Sequence, residues 1–145
     1  MVSGIIVSRY VGPLPETDRS DRKISAGPLY PSEDILKLLE TEQAVFPWTK
    51  KCIADVQRLA LDGDDLNDLL REAVSNGRFT GSEWCQQRAD GPWAACDAYF
   101  LIRAEWIEVA RKEIRMEYYL KLAVGKTGKI LLLVSCHLSE ERRSS

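Results

Sequence analysis

No run of this chain approaches the roughly 20 consecutive apolar residues that a membrane-spanning helix requires. The N-terminus also lacks the basic-then-apolar order of a secretory signal, so the expectation is a cytoplasmic protein without a membrane partner. Histidine occurs once, at His137, and the cysteines Cys52, Cys85, Cys96 and Cys136 have no finger-like spacing. A metal site is therefore not expected, and the cysteines read as free buried thiols of a reducing compartment. The turn Gly125-Lys126-Thr127-Gly128-Lys129 lacks the glycine spacing of a phosphate loop, so its lysines read as solvated turn residues. Internal repeats and low-complexity tracts are missing as well, and nothing implies a cofactor.

What remains is a chain of 145 residues, 45% of them hydrophobic, which is enough for one core and one working domain. Residues 1–28, with Gly12, Pro13, Pro15 and alternating charges, read as a flexible extension, leaving 29–145 as the domain. The net charge is only -2, but it is unevenly spread. From Leu29 to Gly77 acids dominate, with Asp62, Asp64, Asp65 and Asp68 the densest group. After Leu101 the bias reverses: Arg103, Arg111, Lys112, Arg115, Lys121, Lys126, Lys129, Arg142 and Arg143 outnumber the acids. A basic working surface in the second half is the functional reading of that reversal, and solvated faces of mixed sign the plain one.

The first half reads as helical. Pro31-Ser32 followed by Glu33-Asp34 predicts a helix over about Ser32 to Glu42, with Ser32 as N-cap. Ala44-Val45-Phe46 before Pro47 is held to a short extended segment. Cys52, Ile53, Val56 and Leu59 recur at helical steps, and beyond Gly63 a third helix capped by Asp64-Asp65 buries Leu66, Leu69, Leu70, Ala73 and Val74 before Asn76-Gly77 stops it. After Gly77, turn signals separate alternating segments: Glu83 to Gln87, Ala95 to Arg103, Glu117 to Val124 and Lys129 to His137. Trp106, Val109, Ala110 and Ile114 favour a short helix between Glu105 and Met116, with a hairpin extension as the alternative. The expected fold class is α+β, with N-terminal helices packed on a C-terminal antiparallel sheet of about four strands.

The order of these pieces, from Leu29 to Leu138, resembles the MqsR toxins, a branch of the RelE-like messenger-RNA endoribonucleases that act free or on the ribosome. The parts that carry the resemblance are Asp55-Val56-Gln57-Arg58-Leu59-Ala60-Leu61-Asp62-Gly63-Asp64-Asp65, Glu83-Trp84-Cys85-Gln86, Cys96-Asp97-Ala98-Tyr99, Tyr119-Leu120-Lys121 and Leu133-Val134-Ser135-Cys136-His137. The resemblance implies a compact α+β domain that cleaves mRNA without metal and is silenced by a cognate antitoxin protein. The family's strand tyrosine is matched by Tyr119, and its lysine near the chain end falls on His137. Its earlier lysine falls on Gln86, and its glutamine beside the Asp-x-Tyr element falls on Cys96.

Metal-free RNA cleavage needs a base for the ribose 2′-hydroxyl, neutralisation of the phosphorane and an acid for the leaving oxygen. An imidazole with an unperturbed pKa of about 6.5 serves as base or acid near neutrality, which makes His137 the first candidate. Tyr119 positions phosphate or relays a proton, and Lys121 holds developing charge, with Arg103 in support. Period-two placement sets Tyr118, Leu120 and Leu122 on one face of their strand and Tyr119, Lys121 and Ala123 on the other. Gln86, Arg111, Lys112 and Arg115 complete the expected RNA-binding set. A rival reading is a member that binds RNA or its partner without cutting. A second is a cysteine-dependent enzyme: Cys136-His137 and Cys96-Asp97 point to opposite faces, but Cys96 and His137 could meet across strands.

Overall fold

The computed structural model describes residues 4–16 and 21–138. Glu140, Glu141, Arg142 and Arg143 lie outside the described residues, as does Val2. Three helices and six strands follow in the order β1 (Lys23–Ile24), α1 (Ser32–Leu38), β2 (Val45–Pro47), α2 (Lys50–Arg58), α3 (Gly63–Asn76), β3 (Arg78–Gln86), β4 (Trp93–Ile107), β5 (Lys112–Val124) and β6 (Leu131–Leu138). The class is α+β, as expected. The sheet is larger than expected and mixed rather than purely antiparallel, in the spatial order β1-β3-β4-β5-β6-β2. Strands β3 to β6 form an antiparallel meander; β1 adds antiparallel to β3, and β2 lies parallel to β6 at the other edge. An edge is where a strand ending in Pro47 is tolerated, because proline donates nothing to the ladder.

The helix starts differ from expectation in ways the capping chemistry explains. Ser32 is the first helical residue of α1 behind Pro31, and no side chain caps that end. In α2 the hydroxyl of Thr49 accepts from the Cys52 amide at 3.0 Å. In α3 the cap is Asp62, not Asp64-Asp65: Asp62 accepts from the Asp65 amide at 2.8 Å and the Asp65 carboxylate accepts from the Asp62 amide at 3.0 Å. That reciprocal box satisfies two orphan donors and draws Gly63 into the helix.

The segment from Glu105 to Met116 is not a helix. It is the far end of the long β4–β5 hairpin, turned at residues 108–111 with Arg111 at φ 52°. Ile114, Met116, Tyr118, Leu120 and Leu122 alternate strictly, and that period of two outweighs the looser helical spacing of Trp106, Val109 and Ala110.

One face of the sheet carries the core. Ile35, Val56, Leu66, Leu69, Leu70 and Ala73 from the helices pack with Leu101, Tyr118, Leu120, Leu122, Leu133, Cys136 and Leu138. A smaller group, Trp84, Trp93 and Ala95, is covered by Ile6, Tyr10, Leu14 and Ile24. The described part of 1–28 is therefore laid on the sheet where composition suggested a flexible lead. The Val7 amide donates to the Trp93 carbonyl at 2.9 Å and the Arg9 amide to the Val124 carbonyl at 2.7 Å, filling the gap between the start of β4 and the end of β5. Asp97, fully buried, fixes the next stretch by accepting from the Leu29 and Tyr30 amides and from Ser82 Oγ at 2.6 Å. Glycine is required beside it: a Cβ on Gly27 would stand 2.0 Å from Ser82 Oγ. No helix among the described residues is long and apolar enough to cross a membrane.

Candidate active site

The alternation that buries Trp84, Tyr118, Leu120 and Cys136 turns their neighbours to the sheet's other face, which is partly open at Tyr119 and His137, buried at Cys96 and bordered by the start of α2. Glu83 and Cys85 stand there on β3, Cys96 and Ala98 on β4, Tyr119 and Lys121 on β5, and Ser135 and His137 on β6. Tyr119 and His137 are directly opposite in the antiparallel register, with ring centroids 5.4 Å apart and planes tilted by 34°. Lys121 lies over the tyrosine ring, its Nζ 5.8 Å from the centroid. The three first candidates thus form one contiguous group, and His137 is only partly buried.

His137 Nδ1 is 3.3 Å from the Leu138 carbonyl. A carbonyl only accepts, so this contact puts a proton on Nδ1 and leaves Nε2 of the neutral ring as its acceptor. Lys121 is 14% exposed and makes a salt bridge with Glu83 that spans β4 above the small side chains of Cys96 and Ala98. Burial alone would lower the lysine's pKa, but the neighbouring Cys85 sulfur and the Glu83 carboxylate raise it overall, so Lys121 stays charged. It suits charge stabilisation and not base catalysis.

Two clefts border the Glu83–Lys121 pair. One of about 360 Å³ is lined by Lys23, Phe79, Gly81, Glu83, Ala98 and Tyr119 among others. The other, about 430 Å³, runs to the start of α2, where its described lining sets Arg22, Lys50, Lys51, Arg88 and Lys121 around Glu83, with Lys51 also held by Asp55 at 2.8 Å.

The supporting candidates are scattered. Arg103 lies on the helix-covered face, 5.9 Å over Tyr118 and tied to Glu105 at 3.2 Å and Glu72 at 3.7 Å, because its odd position on β4 follows Tyr99 and Leu101 inward. Gln86 lines the cationic cleft, and its amide nitrogen donates to the Gly91 carbonyl at 3.0 Å. Arg111 and Lys112 sit at the far hairpin turn, while Arg115 shares the open face with Tyr119 and pairs with Glu117 at 3.4 Å. Cys96 and His137 do not meet: Glu83 is opposite Cys96, and Tyr119 is opposite His137. Among the described residues no group of three or more His, Cys, Asp or Glu could hold a metal ion.

Glu83, Cys85, Ser135 and the cations Arg22, Lys50, Lys51 and Arg88 are site residues that sequence reasoning missed. For β3 the signal was present, since a core tryptophan at Trp84 forces Glu83 and Cys85 onto the opposite face. Comparison with protein-family models, curated proteins and solved structures finds no match to this chain.

Proposed function

We propose that the protein is a metal-free endoribonuclease of the MqsR and RelE-like kind, a toxin that cuts single-stranded mRNA and is held in check by a cognate antitoxin. The observation that carries this reading is the Tyr119–His137 pair at 5.4 Å, with Lys121 against the same tyrosine on the partly open face of the sheet. His137 Nε2 takes the proton from the ribose 2′-hydroxyl, the oxygen attacks phosphorus as the P–O5′ bond breaks, and the 5′-oxygen leaves with a proton from solvent water, giving a 2′,3′-cyclic phosphate and a 5′-hydroxyl. Tyr119 orients the phosphate through its hydroxyl. Lys121 neutralises the phosphorane, for which the phosphate must compete with Glu83. The cationic cleft beside the pair is wide enough to take a neighbouring phosphate.

The assay is end-labelled single-stranded RNA incubated with the purified chain in chelator, with His137→Ala and Tyr119→Phe beside it. Cleavage should leave cyclic-phosphate ends and fall by about 100-fold or more in His137→Ala. Cleavage that persists at full rate in that variant would sink the assignment. A second reading, RNA binding without cutting, is favoured by the engaged state of Lys121 and by Gln86 and Cys96, which stand where the family it resembles has lysine and glutamine. Binding with no new ends would select it.

A further inference from the structure

Cys85 and Cys96 meet on the open face at a place the nuclease chemistry leaves unused. Cys85 is opposite Ala94 and Cys96 opposite Glu83, which makes the two cysteines diagonal neighbours on one face, where the Cys96 thiol donates to the Ala94 carbonyl at 3.5 Å. Cys96 is fully buried, whereas Cys85 is 8% exposed and lines the 430 Å³ cleft. That cleft gathers Arg22, Lys50, Lys51, Arg88 and Lys121 around it, with Glu83 as counter-charge, its Oε2 3.8 Å from Cys85 Sγ. Reactive thiols occupy electropositive, partly accessible surroundings of this kind, whereas fully buried thiols are inert.

We propose that Cys85 is a modification site, a nucleophilic thiol beside the buried Cys96 that exchanges with small anionic disulfides drawn into the cationic cleft. The four cysteines are unequal in the direction this needs. Cys85 is lowered, chiefly by its Cys96 neighbour and then by the Lys121 and Arg22 charges, against burial and Glu83. Cys96 is raised by burial and by its neighbour, and burial pushes Cys52 and Cys136 up to about 12. In the exchange the Cys85 thiolate attacks one sulfur of the disulfide. A Cys85–sulfur bond forms as the original S–S bond breaks, and the electron pair leaves on the second sulfur as a free thiolate. The small disulfide is the oxidant, and the proton lost by Cys85 goes to solvent. The added anionic group would occupy the cleft beside Lys121.

The test uses the folded full chain and the dianionic disulfide 5,5′-dithiobis(2-nitrobenzoate), without RNA, so its outcome is independent of the nuclease reading. One equivalent of coloured thiolate should be released quickly, and three more only after denaturation. The fast equivalent should vanish in Cys85→Ser and slow in Cys96→Ala and Lys121→Gln. Its rate should fall with added salt more steeply than that of the neutral 2,2′-dithiodipyridine. Peptide mass mapping of the briefly treated wild-type chain supplies the answer should Cys85→Ser not fold: the label belongs on Cys85. A label on another cysteine, or no release before unfolding, overturns the proposal, and equal salt dependence of the two disulfides overturns the role of the cleft.

Discussion

Lys121 is where the proposed chemistry is most exposed to test, because its ammonium is already engaged by Glu83. A phosphate must displace that carboxylate or share the ammonium with it. Glu83→Gln should therefore tighten binding of a labelled single-stranded RNA, by about fivefold or less because Glu83 is 40% exposed and its pairing screened. Lys121→Gln should weaken it, which fluorescence anisotropy measures directly. Weaker binding in Glu83→Gln would instead make Glu83 the group that holds the lysine in its working position. Asp97 is a contrasting carboxylate, buried and saturated with donors from Leu29, Tyr30 and Ser82. It does no chemistry in this reading, yet Asp97→Ala strands those donors and should cost about 3 kcal/mol, read as a fall in the urea midpoint with little change in slope.

At the scale of elements, α2 is coupled to pH through Asp55. Burial alone would raise its carboxyl, but hydrogen bonds from Lys51 at 2.8 Å and Arg58 at 2.9 Å, with their charges, hold it below the ordinary carboxylate value. A depressed folded pKa contributes stability that is complete above the unfolded value of about 3.9 and is lost as pH falls through the folded one. Asp55→Asn should accordingly flatten the part of the stability profile below about pH 4, and leave its slope at neutral pH unchanged. The far β4–β5 hairpin behaves oppositely: Trp106 is 58% exposed, so Trp106→Ser should shift stability by only about 0.5 kcal/mol, against about 3 to 5 for Trp93→Ala in the inner cluster. The helices, the strand faces and the Tyr119–Lys121 side of β5 were legible in local periodicity. The parallel edge strand β2, the docking of residues 5–9 and the inward turn of Arg103 were not, because each depends on a distant partner: Leu131 to Leu133, Trp93 and Glu72. Glu83 was hidden for the same reason, since its significance arises only when β4 brings it across to Lys121.

For the molecule as a whole, a net charge of -2 conceals two sides of opposite character. On the helix side a cleft of about 720 Å³ is lined by Glu40, Glu42, Asp62, Asp64 and Asp68, with Arg71 their one basic companion among the described residues. On the open side the cleft beside Cys85 presents Arg22, Lys50, Lys51, Arg88 and Lys121. A polyanion would be repelled by the first and held by the second, so orientation follows from charge separation even though the total charge opposes binding. For single strands each phosphate neutralised contributes about 0.7 to the slope of log affinity against log salt. Lys50→Gln should lower that slope by about this amount and weaken affinity alike for different RNA sequences. Neutralising Glu40 and Glu42 should raise overall affinity at low salt while leaving the slope where it was, since neither touches the bound strand. A slope unmoved by Lys50→Gln together with one reduced by changes on the helix side would place the nucleic acid on the wrong face and remove the basis for assigning His137 and Tyr119 to its cleavage.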